Sequence, residues 1–169
     1  MTSTLNLDTA IPSGSWTLYF HSPEEQKWDI STFIKVGTVH TWRDWFSITD
    51  ELGTKAINDG MFFFMRDPIP PLWENSRNIR GGSYSYRIQR SDTVNSFMNS
   101  AIAIMLDRAM VNPENQINGL SISPKKGFNI IKIWNSDSTR FKTPSDMNQF
   151  LENVRLDEII YTPFLEKKM

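Results

Sequence analysis

Apolar and polar positions along the chain switch between two periods, and the elements follow from that switching. "GSWTLYFHS", starting at Gly14, is a short aromatic and apolar run and predicts a strand. The polar "HSPEEQKWD" after it is a loop. In "TVHTWRDWFSI", Val39, Trp42, Trp45 and Phe46 recur at helical spacing behind a threonine able to cap, which predicts a helix. "MFFFMRDPIPP" is a strand that stops at proline, followed by a loop over 68–82. "SYSYRI" alternates as a half-buried strand does. "RSDTVNSFMNSAIAIMLDRAM" predicts an amphipathic helix that Ser91 or Asp92 caps, with Phe97, Ala101, Ile102, Met105, Leu106 and Ala109 on one broad face. "NGLSISPKKGFNIIKIWNSD" predicts two strands around a basic turn, Pro124 to Gly127. "TPSDMNQFLENVR" predicts a third helix, with Pro144 at the first helical position behind a threonine and Met147, Phe150, Leu151 and Val154 as its apolar stripe. "DEIIYTPF" predicts a last strand.

Hairpin-like strand pairs interleave irregularly with helices. The expected class is α+β: a curved, mostly antiparallel sheet with helices on one face and loops at one end. Residues 1–13 are polar and aperiodic and are expected to form a flexible N-terminal tail, leaving 14–169 as a single domain. The chain length of 169 residues suits one domain with one core.

Composition narrows the chemistry. Formal net charge is −1, so no global basic field favours bulk binding to a nucleic-acid backbone, and any polyanion contact must be local. The absence of cysteine excludes disulfides, thiolate zinc sites and a thiol nucleophile. His21 and His40 are isolated from each other, and no metal or cofactor is expected. The N-terminus lacks the basic start and apolar core of a signal peptide, and no apolar run approaches the ~20 residues that cross a bilayer. The expectation is a soluble, cytoplasmic protein with no membrane partner. Nucleophile elbows, phosphate-cradling glycine loops and dinucleotide fingerprints are all missing, so binding is expected rather than catalysis. An enzyme acting on nucleotides is the competing class, and a globular domain with purely structural tryptophans is the plain one.

The aromatic inventory is the outlier. Of six tryptophans, Trp28 and Trp73 lie in polar, turn-rich surroundings, and Trp73 is followed directly by Glu74 in "PPLWENSRNIRGG". A Trp face suits a delocalised cationic ring, and a carboxylate beside it can accept two N–H bonds from a guanine edge. A polyphosphate needs Lys or Arg nearby. Lys125 and Lys126 sit on the basic turn ahead of Trp134, and Arg77 and Arg80 follow Glu74. A Trp-Glu pair alone is more often a buried ring beside a solvated acid, so the weight comes from the whole set.

That set resembles the translation initiation factor 4E family, which binds the 7-methylguanosine cap of messenger RNA. The resemblance runs over nearly the whole chain: "WTLYFHSPEEQKWDIS", "FFFMRDPIPPLWENSRNIRGGSY", "RSD" opening a helix, "IIKIWN" and "EIIYTP" occur in the family's order. It implies a curved antiparallel sheet backed by three long helices, with the cap slot on the concave side. It implies that Trp28 and Trp73 sandwich the methylated guanine, that Glu74 accepts from its N1 and N2 groups, and that Trp134 contacts the methyl group. Lys125, Lys126 and Arg80 would serve the phosphates. Capped mRNA is the implied ligand, and a scaffold of the 4G type, or a replacement for it, is the implied protein partner on the convex face.

The departures from the family pattern are informative. The basic segment is longer than the family's, and Ile130 stands four residues before Trp134 where a basic residue is usual. On the partner surface Val39 matches, but Trp42 stands where Phe is usual, Arg43 where the docking Trp is expected, and Asn99 and Ala103 near the leucine positions. The pattern describes a compact, divergent member with its own partner, as a viral genome would suit. The alternative is a cap-binding decoy or repressor that engages no 4G-type scaffold.

Overall fold

The computed structural model describes residues 6–165. Seven strands form one sheet: β1 (Trp16–His21), β2 (Phe33–Val39), β3 (Met61–Arg66), β4 (Gly82–Gln89), β5 (Ile117–Pro124), β6 (Phe128–Asn135) and β7 (Ile160–Pro163). Their order is β2-β1-β3-β5-β6-β4-β7, and every pairing is antiparallel. Register shifts at Leu18/Tyr19 and at Ile117/Gly119 help the curved sheet bend. Two α-helices are present among the described residues, α1 (Trp42–Asp59) and α2 (Thr93–Met105).

Strand alternation sorts the side chains. Trp16, Leu18, Phe62, Phe64, Leu120, Ile122, Ile131 and Ile133 face the main core beneath the helices. Trp45 of α1 joins Phe64 to Phe97 of α2, at ring-centroid separations of 4.7 and 5.9 Å. The intervening residues Phe33, Phe63, Met65 and Trp134 face the other way and build a second, smaller cluster with Ile69 and Phe164. That second face carries the candidate site.

The start of α1 is fixed by a capping box. Thr41 Oγ1 accepts from the Asp44 amide at 3.2 Å, and Asp44 accepts from the Thr41 amide at 3.1 Å. Backbone N–H bonds, that of His40 first, hold the Asp44 carboxyl below the usual range. The threonine that caps is therefore Thr41, and Val39 belongs to β2 rather than to the helix. Gly53, at φ 82°, kinks α1 with a conformation that side chains resist. Residues 6–13 lie against this end of the helix. The amides of Trp42 and Arg43, which have no intrahelical partner, donate to the carbonyls of Thr9 and Leu7 at 3.3 and 2.7 Å. Ile11 is buried and its amide donates to His40 O at 2.9 Å. Residues 1–5 of the expected tail lie outside the described residues.

Several expectations are corrected. The third long helix does not form: only Pro144–Asp146 makes a 3-10 turn, and Met147 is already extended. Polar side chains take over the backbone partners there. Asn148 Nδ2 donates to Arg108 O and Met110 O at 2.8 and 3.0 Å, and Gln149 Nε2 donates to Leu151 O at 2.7 Å and to Val154 O. Met147, Leu151 and Val154 are nevertheless buried, so the apolar stripe packs without a helix. Helix α2 is shorter than predicted, being preceded by a 3-10 turn at Arg90–Asp92 and ended at Met105. Asp92 occupies its N-cap without a side-chain cap bond. Strand β2 was not anticipated; it is an edge strand with exposed Ile34 and Lys35, so its alternation is weak. No helix among the described residues is long and apolar enough to cross a membrane.

Gly81 marks the tightest join between the loop before β4 and the end of β6. A Cβ there would lie 1.8 Å from the Asn135 carbonyl oxygen, which is backbone and cannot swing away. Gly81→Ala is expected to destabilise the fold by about 1–3 kcal/mol, read as a lowered urea midpoint.

Candidate functional site

The loop between β3 and β4 is built to hold one short segment in place. It opens at a cis Asp67–Pro68 bond, and Asp67 accepts from the hydroxyls of Ser15 and Thr17 at 2.7 and 2.6 Å. Ile69, 2% exposed, anchors it in the second cluster. Asn78, fully buried, is the knot: its Nδ2 donates to Pro70 O at 3.2 Å and Leu72 O at 2.9 Å, and its Oδ1 accepts from Asn118 at 3.0 Å. Backbone bonds from Asn75 to Leu72 and from Asn78 to Asn75 close the turns. Trp73 and Glu74 project from this frame. Trp73 is half-buried, tilted 33° to Phe164 at 6.4 Å, and Glu74 is exposed.

Across from this loop lies Trp28, on the segment joining β1 to β2. Its ring is 47% exposed and lies flat on His21, with centroids 3.8 Å apart and planes 2° apart. Phe33 and Phe63 meet it edge-on at 5.9 and 6.2 Å. Trp134, on β6, is nearly buried and forms part of the floor. Its Nε1 donates to Ser121 Oγ at 3.2 Å, and its ring stands edge-on to Phe63 and Phe164 at 6.1 and 5.2 Å.

These groups enclose one cavity of about 350 Å³. Trp28, Trp73 and Trp134 supply its aromatic lining, Glu74 a carboxylate, and Lys125 and Lys132 two ammonium groups, with Ser121 and Ser123 between. The volume is of the order taken by small-molecule sites. The cations are ordered along the sheet. Lys132 and Trp134 are two residues apart on β6 and share a face, and Lys132 pairs in register with Ser121 of β5. Lys125 lies beyond, at the β5–β6 turn, where its amide donates to Phe128 O at 2.8 Å and Gly127 takes φ 89°. Tyr19 packs against the second cluster, and burial, aided by the charge of Asp67, pushes its hydroxyl pKa up.

Five residues singled out from sequence thus line one cavity: Trp28, Trp73, Glu74, Lys125 and Trp134. Lys126 and Arg80 are exposed and lie outside the lining. The Arg80 carbonyl accepts from Ser138, a bond that ties the loop to the segment after β6. Lys132 was missed, although the alternation of "FNIIKIWN" places it on the Trp134 face. Phe164 and His21 were missed because only the folded chain brings them to the tryptophans.

The residues expected on a partner surface differ in exposure and in the cleft they border. Val39 and Ala103 are buried in the main core, at 0% and 7% exposure. Trp42 is half-buried against that core. Arg43 is exposed and paired with Asp8 at 2.7 Å, which its guanidinium holds below the usual carboxylate range. It borders a groove of about 470 Å³ between α1 and α2, with Phe46, Val94 and Met98. Asn99 faces a different cleft, beside Phe150 and Asn153. Among the described residues no group of three or more His, Asp or Glu side chains could hold a metal ion.

The sheet, the helices on one face and the tryptophan-lined cleft on the other define an α+β domain with an aromatic cavity. A family model described as eukaryotic initiation factor 4E matches residues 13–164, and the chain belongs to that family. The eukaryotic translation initiation factor 4E of Candida albicans is 23% identical over 139 residues, covering 75% of this chain and 65% of that protein. That of Eremothecium gossypii is 23% identical over 144 residues, covering 79% and 66%. The matched region is thus just under two thirds of either relative's length. Among solved structures, the fold matches C. elegans eIF4E-3 in complex with the 4E-binding protein Mextli at a TM-score of 0.72 and 14% identity, covering 94% of this chain and 95% of that one. It matches Ascaris suum eIF4E-3 with m7G cap at 0.65 and 16% identity, covering 77% and 74%.

The frame around Trp73 depends on Asn78. Asn78→Ala leaves the Pro70 and Leu72 carbonyls without their side-chain donor and removes one of the two acceptors of the Asn118 amide. It is expected to cost about 1–3 kcal/mol of stability, measured by chemical unfolding.

Proposed function

We propose that this cavity binds the 7-methylguanosine cap of messenger RNA and that the protein serves translation initiation by recruiting capped message. The observation that carries the reading is the convergence of Trp28, Trp73, Glu74, Trp134 and Lys125 on one cavity of nucleotide size. Membership of the initiation factor 4E family supports it. So does the m7G cap bound to the Ascaris suum protein of the same fold.

The chemistry follows from the ligand. Methylation at N7 puts a positive charge on the guanine ring, and a cation stacks well on the electron-rich faces of tryptophan. Trp28 and Trp73 take the two faces of the base. The Glu74 carboxylate accepts from N1–H and N2–H, a charge-assisted pair that selects guanine. Trp134 closes the side that carries the methyl group. The phosphates run along β6 toward the basic turn, with Lys132 meeting the nearer ones and Lys125 the farther. Lys132 takes over the task that the family's pattern gives to position 130, one step of the alternation away and on the same face. Every step is binding; no bond is made or broken.

A second reading is a cap-binding repressor that lacks a 4G-type scaffold. The buried Val39 and Ala103, and Arg43 turned to Asp8, favour it over docking by the family's usual contacts. A 4G-type peptide that fails to bind while cap affinity is intact would select this reading; measurable binding would reject it.

Titration of tryptophan fluorescence with 7-methyl-GTP and with GTP tests the main reading. Strong quenching by the methylated nucleotide and little by GTP is expected; equal responses would reject a cationic-base sandwich. Glu74→Ala is expected to lose about 2–3 kcal/mol of binding free energy. Trp28→Ala or Trp73→Ala should each lose about 1–3 kcal/mol. Lys132→Ala and Lys125→Ala should weaken binding and flatten its dependence on salt, and Lys126→Ala should change both less.

A further inference from the structure

Trp28 is an exposed ring on an irregular segment, yet one of its faces is fully used. His21 lies against it at 3.8 Å with the planes 2° apart. His21 itself has no exposed surface. It sits at the end of β1, paired in register with Phe33 of β2 and Met61 of β3, so its backbone is part of the sheet. Phe33 closes on its edge at 4.7 Å. The ring nitrogens are held by the loop that carries Trp28: Nδ1 lies 2.9 Å from Ser22 O, and Nε2 lies 2.8 Å from Lys27 O and 3.0 Å from Thr32 Oγ1. The Thr32 hydroxyl donates to Asp29 O at 2.7 Å, which holds that side chain within the same loop. One side chain thus ties the beginning, the middle and the end of the loop to the sheet.

We infer that His21 is a positioning residue of the ligand site, the rear plate of a stack that runs His21, Trp28, base, Trp73. It fixes the plane and depth at which Trp28 meets the ligand. This inference rests on the cap-binding reading for the identity of the base, but the stack of His21 on Trp28 stands apart from it. A Trp on a loop samples several rotamers, and ordering it on binding costs free energy that a pre-set ring avoids. The sheet is the rigid element, and His21 transmits its rigidity to the loop. The hydrogen bonds orient the imidazole; its flat face orients the indole.

The test separates ring from hydrogen bonds. H21F keeps a flat ring and removes both nitrogens, whereas H21Q keeps polar atoms and removes the ring. H21L is a second non-aromatic variant should H21Q fail to fold. Affinity for 7-methyl-GTP is expected to fall about three- to tenfold in H21Q and to stay within about twofold of wild type in H21F, the range of an aromatic pair. In a W28A background H21Q should have no further effect, since the two residues act as one unit. A merely structural role would lower affinity equally with and without Trp28, and that result, or an unchanged affinity in H21Q and H21L, would overturn the inference. A wild-type protein that ignores 7-methyl-GTP would instead overturn the cap reading. Acrylamide quenching of ligand-free protein then still decides the stack. The emission lost on W28F substitution should be about twofold more accessible in H21Q than in wild type, and equal accessibility would reject the role.

Discussion

Strand β3 imposes the constraint from which the molecule follows. Phe62, Phe63, Phe64 and Met65 are consecutive and all buried, although successive side chains of a strand point to opposite faces. Both faces of the sheet must therefore be covered at this strand. On one face α1 and α2 do so, through Trp45 and Phe97. No described helix packs over the other, so the chain covers Phe63 and Met65 with side chains from loops and neighbouring strands: Phe33, Ile69, Trp134 and Phe164. Covering a sheet with loops leaves gaps. The cavity is such a gap, and its walls are aromatic because aromatic rings cover much area from few attachment points.

The same constraint explains why the site is rigid where it must be. The β3–β4 loop has to return across the open face, so its backbone carbonyls would be buried without partners. Asn78 and Asn118 supply those partners, and Asn135 does the same for the next join by accepting from the Gly82 amide at 3.1 Å and from Tyr161 at 2.8 Å. These buried amides hold polar backbone in an apolar setting, with Asn78 donating to Pro70 O and Leu72 O and Asn118 to Arg77 O, and each such bond narrows the geometry of the loop. Trp73 and Glu74 inherit that geometry because they lie between its fixed points. Close approach does the rest: a Cβ on Gly119 would meet Met65 Sδ at 2.3 Å, so β5 lies tightly against β3 next to the Trp134 floor.

What could be read from the sequence depended on how local each signal was. The alternation of "SYSYRI" and the aromatic run of β1 are properties of short windows, and those strands stand as expected. Trp73 and Glu74 were legible because the ring and its carboxylate are neighbours in the chain. The segment 143–155 misled because its apolar spacing is helical, and Met147, Leu151 and Val154 do reach the core; but Gln149 captures the Leu151 carbonyl within the segment, while Asn148 ties it to the Arg108 and Met110 carbonyls outside it. Lys132 was hidden in an isoleucine-rich strand where its side of the sheet had to be known first. Val39 matches the family pattern and Ala103 stands near one of its leucine positions, yet their burial is decided by which face of β2 and α2 meets the core. His21 gave no signal at all, since its meaning is a stacking distance across seven residues of chain.

Charge follows the same logic of locality. The chain as a whole is nearly neutral, so its field cannot draw a polyanion from a distance. Lys125 and Lys132 nevertheless stand on one line with Trp134, while Glu74 stands at the rim with Trp73. Under the proposed function, the ligand carries its positive charge and N–H donors at one end and its anionic oxygens at the other. A neutral base with phosphates meets only half of the arrangement, and a cationic base without phosphates meets the other half. In the proposed function, selectivity then arises from the separation of these two ends of the cavity and not from any single strong contact.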